Sequence, residues 1–88
     1  MPASPPRLTL YSRDYCHLCH DMLAALETLR GAPGGPHFDI AVVDVDADPV
    51  LEAKYNELVP VLVDDEGSEL CHYFLDAAKV REYLGTLG

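Results

Sequence analysis

The chain has 88 residues and a formal net charge of −9, from 15 acidic and 6 basic side chains. That size allows one hydrophobic core, and the acidity excludes nucleic acid and anionic membranes as partners, since their phosphates would be repelled. With 49% of residues hydrophobic, the core needs neither disulfide staples nor a structural metal.

Residues 1–6 form a proline-rich lead-in, and a single domain is expected over residues 7–88. The lead-in has no apolar run, so it is expected to be neither a signal peptide nor a membrane span. Leu8 and Leu10 alternate with Thr9 and Tyr11, which predicts a first strand over residues 7–11. A polar loop, Ser12-Arg13-Asp14-Tyr15, then leads to Cys16-His17-Leu18-Cys19.

After Cys16 the period changes. Leu18, Met22, Ala25, Leu26 and Leu29 recur at steps of three and four, the apolar stripe of a helix. Gly31 and Pro33-Gly34-Gly35-Pro36 end it. Residues 38–45 read as a second strand through Phe38, Ile40 and Val42, and the intervening helix makes a right-handed parallel βαβ unit the economical topology.

Asp48-Pro49 is a helix start, with Asp as the cap and Pro at the first helical position, so a short helix is expected from Pro49 to about Asn56. Val59-Pro60-Val61-Leu62-Val63 reads as a third strand. Asp64-Asp65-Glu66-Gly67 turns it into a fourth over residues 69–73, with Gly67 supplying positive φ. Asp76 caps a last helix carrying Ala77, Val80, Tyr83 and Leu84 and ending at Gly85. The element order is β-α-β-α-β-β-α, an α/β pattern.

Three cysteines, two of them three positions apart, are a poor framework for a secreted stapled domain. The expected compartment is a reducing cytoplasm, where such a pair is redox-active or metal-binding. A cysteine at a strand-to-helix junction meets unpaired backbone N–H groups and the positive end of the helix dipole, which favour the thiolate. Cys16 is therefore the expected nucleophile and Cys19, one turn along, the resolving thiol. His17, when protonated, adds to this effect. Tyr15 is placed to shape the groove beside Cys16, and His20 is expected to face solvent. Three other readings compete: a zinc site completed by His20, Cys71 or His72, a c-type haem attachment through Cys16-x-x-Cys19-His20, and an inert pair of thiols. Cys71 on its own reads as a small buried apolar side chain.

Three segments together resemble the glutaredoxin branch of the thioredoxin superfamily. They are the opening from Leu8-Thr9-Leu10-Tyr11 through Cys19, the stretch Val43-Asp44-Val45-Asp46 before a short helix, and Val59-Pro60-Val61-Leu62. The resemblance spans residues 7–84. It implies a thioredoxin/glutaredoxin fold, a mixed four-stranded sheet flanked by helices, with thiol–disulfide oxidoreductase activity and no cofactor or metal. It also implies that Val59-Pro60 is a cis peptide beside the cysteines, with the backbone of Val59 pairing with a bound substrate.

Arg13 stands where the family carries a basic residue that contacts a glutathione carboxylate. Two departures stand out. His17 and Leu18 replace the Pro-Tyr of the common CPYC motif, so both become candidate substrate contacts. The family's paired glycines are missing, and Cys71-His72-Tyr73-Phe74 stands near their place. That counts against glutathione and leaves a protein or small-molecule disulfide as the expected substrate of a monomer. A non-catalytic protein-binding module on the same scaffold is the alternative from another class.

Overall fold

The computed structural model describes residues 5–55 and 57–86. Strand β1 (Arg7–Ser12) leads into helix α1 (His17–Gly31). Strand β2 (Asp39–Asp44) then passes through a 3-10 turn (Val45–Ala47) into helix α2 (Pro49–Tyr55). Strands β3 (Val61–Val63) and β4 (Glu69–His72) form a hairpin, and helix α3 (Ala77–Thr86) follows. The sheet order is β2-β1-β3-β4. β1 pairs parallel with β2 and antiparallel with β3, and β3 pairs antiparallel with β4. The sheet is thus mixed, as expected.

Side-chain alternation sorts the core onto the two faces of this sheet. Leu8, Leu10, Leu62 and Leu70 point to one face and meet Met22, Leu26 and Leu29 of α1, Val80 of α3, and Phe38. Val61 and Val63 point to the other, where Val45 and Tyr55 cover them. Tyr11 packs there too, its ring stacked on Tyr55 with centroids 4.5 Å apart. β3 is buried on both faces, which is why its sequence is an unbroken apolar run. Each fully buried leucine or valine contributes about 1.5–3 kcal/mol relative to leaving it in water.

Several boundaries differ from expectation, each for a local reason. Residues 1–4 of the expected lead-in, and Asn56 at the expected end of the second helix, lie outside the described residues. Pro6 is not free: its carbonyl accepts the Asp39 N–H at 2.8 Å and continues the β1–β2 ladder by one residue. Val45 leaves the strand because the Asp44 carboxylate accepts the Asp46 N–H at 2.9 Å and starts the 3-10 turn. Val42, which the alternation with Phe38 and Ile40 sets on the apolar face of the strand, is 52% exposed, because β2 is an edge strand with β1 alone beside it. Tyr73 falls outside β4, and Val59 and Pro60 precede β3 rather than lying in it.

The predicted caps are in place. Asp48 accepts the Val50 N–H at 2.9 Å, and Asp76 accepts the Lys79 N–H at 3.0 Å. Ala32, forced into an extended conformation ahead of Pro33, ends α1.

Candidate functional site

β1 is the central strand on the parallel side of the sheet, and its end delivers the chain to the start of α1. The Cys16 N–H donates to the Arg13 carbonyl at 3.1 Å, turning the loop, and the His20 N–H returns to the Cys16 carbonyl at 3.2 Å. Cys16 is the cap of α1, with extended backbone, and its Sγ accepts the Cys19 N–H at 3.1 Å. A sulfur thus occupies the place usually taken by a Ser or Asp oxygen. The first turn of α1 contains no acidic residue to oppose a negative charge there.

Cys16 and Cys19 are joined as a disulfide, with Cα atoms 5.2 Å apart, inside the range for such a bond. The two sulfurs differ in access: Cys16 is half-buried and Cys19 is 1% exposed. Cys19, rather than half-buried Leu18, continues the buried stripe of Met22, Leu26 and Leu29.

The antiparallel register sets Tyr11 against Val61 and runs β3 away from the end of β1. Pro60 therefore emerges at the same end of the sheet as the loop that carries Cys16. The Val59-Pro60 peptide is cis. Pro60 is buried, and Val59 packs against the Val45–Tyr55 cluster.

Tyr15 is 78% exposed beside Cys16, and His17 is exposed on the first turn of α1. Arg13 lies with its Nε 3.1 Å from Asp46 Oδ1, and its guanidinium is 5.7 Å from the Tyr15 ring centroid. Its carboxylate partner is therefore a residue of the 3-10 turn, one that sequence reasoning had not connected to it. His20 faces solvent.

The proposed zinc partners do not assemble. His72 pairs with Glu69 at 3.0 Å, and Cys71 packs half-buried against the leucine cluster, where burial pushes its thiol up. Among the described residues no three His, Cys, Asp or Glu side chains are grouped to hold a metal ion.

Tyr73, which the sequence places only near the family's missing glycines, is held at this end by a conformation and contacts that the sequence does not show. Tyr73 has φ of 64°, donates its N–H to the Pro60 carbonyl at 2.9 Å, and donates its hydroxyl to the Glu57 carbonyl at 2.9 Å. A left-handed tyrosine leaves no mark in composition or periodicity, so only the structure reveals it.

A mixed β2-β1-β3-β4 sheet with a CxxC at the start of its first helix defines a thioredoxin-fold protein. Residues 7–85 match the model of the family described as Glutaredoxin-like domain (DUF836), and the chain belongs to that family. It is similar to protein Ne2328 from Nitrosomonas europaea, solved by NMR. Identity is 38%, coverage 94% of this chain and 95% of that one, and the TM-score 0.78. It is likewise similar to the X-ray structure of protein XcR50 from X. campestris: 39% identity, 90% and 96% coverage, TM-score 0.68. Thioredoxin 1 from Thermosipho africanus shares the fold at 21% identity, with 92% and 97% coverage and a TM-score of 0.59. A search of curated proteins found no match.

Proposed function

We propose that the protein is a thiol–disulfide oxidoreductase in which Cys16 is the nucleophile and Cys19 the resolving thiol. The observation that carries this reading is the pairing of a helix-capping Cys16 sulfur, which already accepts a backbone N–H, with a Cys19 sulfur withdrawn into the core. Hydrogen bonding and the helix dipole favour negative charge at Cys16, so thiolate forms at the sulfur that a substrate can reach.

In the reducing direction, the Cys16 thiolate attacks one sulfur of a substrate disulfide. A mixed disulfide forms and the other substrate sulfur leaves as a thiolate. Cys19, losing its proton, attacks Cys16 Sγ, and the second substrate sulfur departs. The substrate gains two electrons and two protons, and the protein ends with the Cys16–Cys19 disulfide. An external thiol or dithiol must then reduce that bond for turnover. Val59 and Pro60 supply the substrate's backbone seat at the same sheet end, with Tyr15, His17 and Leu18 around it. Arg13 is committed to Asp46, and side chains of Tyr73 and Phe74 stand near the place of the family's glycines. Both points favour a peptide or protein disulfide over glutathione, in a reducing cytoplasm.

The test uses a peptide disulfide with dithiothreitol as the reductant. Wild type should turn it over faster than dithiothreitol alone, Cys16→Ser should remove that acceleration, and pre-reduced Cys19→Ser, freed of dithiothreitol before the peptide is added, should hold the mixed disulfide, visible by mass spectrometry. Turnover above the protein-free rate that survives Cys16→Ser overturns the assignment. Absence of exchange in wild type overturns the oxidoreductase reading and favours a non-catalytic binding module.

A further inference from the structure

We infer that Tyr73 is a positioning residue that clamps the loop carrying Val59 and Pro60. The inference rests on the oxidoreductase reading, which makes that loop the seat of the substrate.

Tyr73 is the one non-glycine residue with positive φ among the described residues. The Phe74 N–H donates to the His72 carbonyl at 2.7 Å, so Tyr73 is the centre of a three-residue γ-turn with φ on the unfavourable side. An aromatic L-residue rarely adopts this conformation, and it persists where surrounding contacts over-determine it. Those contacts converge on one segment. The Tyr73 N–H holds Pro60, and the Tyr73 hydroxyl holds Glu57, sixteen positions earlier in the chain. Residues 58 and 59 are thereby anchored at both ends from a single residue.

The ring itself is steadied edge-on by His72, with centroids 4.7 Å apart, and His72 is in turn held by Glu69. The Leu58 N–H donates back to the Tyr55 carbonyl at 2.8 Å, which closes the approach from α2. A glycine would take the same backbone conformation without strain, yet it has no hydroxyl with which to reach Glu57. The tyrosine accepts the strained turn and adds the second grip. Its effect falls on where Val59 stands, and hence on how tightly a substrate is seated, while the sulfur chemistry is left to Cys16 and Cys19.

Two variants and two readouts test this. Tyr73→Phe keeps the ring and removes only the hydroxyl grip; Tyr73→Gly keeps the turn and removes the whole side chain. Hydrogen exchange at the Leu58 and Val59 amides is followed by NMR. KM and kcat are measured with a peptide disulfide, alongside the alkylation rate of reduced Cys16 by iodoacetamide, which needs no seat.

Loss of one hydrogen bond predicts exchange at Leu58 and Val59 faster by roughly three- to tenfold in Tyr73→Phe. KM should rise by a similar factor, while kcat and Cys16 alkylation stay within about twofold of wild type. Tyr73→Gly should raise KM at least as far. Unchanged loop exchange with unchanged KM in Tyr73→Phe overturns the clamp. So does a rise in KM accompanied by an equal change in Cys16 alkylation. Should wild type itself fail to exchange disulfides, the oxidoreductase reading falls, and loop exchange alone decides the clamp.

Discussion

Replacing Asp64 tests whether the β3–β4 hairpin is held by a carboxylate rather than by strand pairing alone. Asp64 is the one buried acidic residue among the described residues, at 9% exposure. Its Oδ1 accepts the Glu66 N–H at 2.8 Å and the Ser68 N–H at 3.0 Å. Its own N–H and carbonyl close the turn, donating to Ser68 and accepting from Gly67. Asp64→Ala removes both side-chain bonds. A hydrogen bond to a charged group is worth about 1.5–3 kcal/mol, and a part-buried surface turn takes the low end. The expected loss is about 2–3 kcal/mol, which for a domain of this size lowers the melting temperature by roughly 10–20 °C. Asp64→Asn keeps a neutral oxygen at the same place and should cost about 1 kcal/mol. Urea unfolding followed by circular dichroism measures both variants. The reasoning is refuted if Asp64→Ala lies within about 0.5 kcal/mol of wild type, or if Asn costs as much as Ala.

Two glycines in and after α1 should respond in opposite ways. A Cβ at Gly35 would stand 2.6 Å from the Leu29 carbonyl oxygen and 2.8 Å from that of Ala32, so Gly35→Ala should destabilise by about 1–3 kcal/mol. Gly31, the last residue of α1, has open space around it, and Gly31→Ala should stabilise by up to about 1 kcal/mol. Equal urea midpoints for the two variants would contradict this. Burial, the largest influence on Cys71, pushes its thiol up, and the Asp76 and Glu69 charges add to this while a hydrogen bond with the Asp76 backbone and the Lys79 charge oppose it. Limiting iodoacetamide at neutral pH should therefore label Cys16 of the reduced protein well before Cys71, as peptide mapping by mass spectrometry would show. The same shift means that the folded state holds the Cys71 proton longer than the unfolded chain does. Its contribution to stability is intact below the ordinary thiol range and declines as pH rises through it. Cys71→Ala should flatten that alkaline decline; an unchanged pH profile would count against it.

Much of this molecule is legible in its sequence, because its signals are local. The change of period at Cys16, the Asp48-Pro49 start, Gly67 with φ of 85° in the hairpin turn, and the Asp76 cap each act within a few residues. Together they yield the element order and the position of the cysteine pair at a helix start. What escapes is set by distant neighbours. Val42 carries the right alternation for burial, but its exposure depends on which strand lies at the edge. Arg13 reads as a contact for a substrate carboxylate until the 3-10 turn after β2 brings Asp46 beside it. Asp64 looks like one more solubilising charge, and only the closed turn makes it internal. Tyr73 is the extreme case, since the partners that hold its left-handed conformation include Glu57 and Pro60, far away in the sequence.

The position of β2 at the sheet margin bears on how copies of this protein tolerate one another at high concentration. Its outer backbone groups, with Val42 beside them, offer a template that a second chain could extend. The strand begins at Asp39 and ends at Asp44. Two such margins zipped head to tail would set the Asp39 of each copy opposite the Asp44 of the other, carboxylate against carboxylate, at both ends of the new ladder. The same strand that exposes an apolar side chain to crowding thus carries its own electrostatic guard against self-association, and charge-neutral replacements at those two termini are where colloidal stability would first be lost.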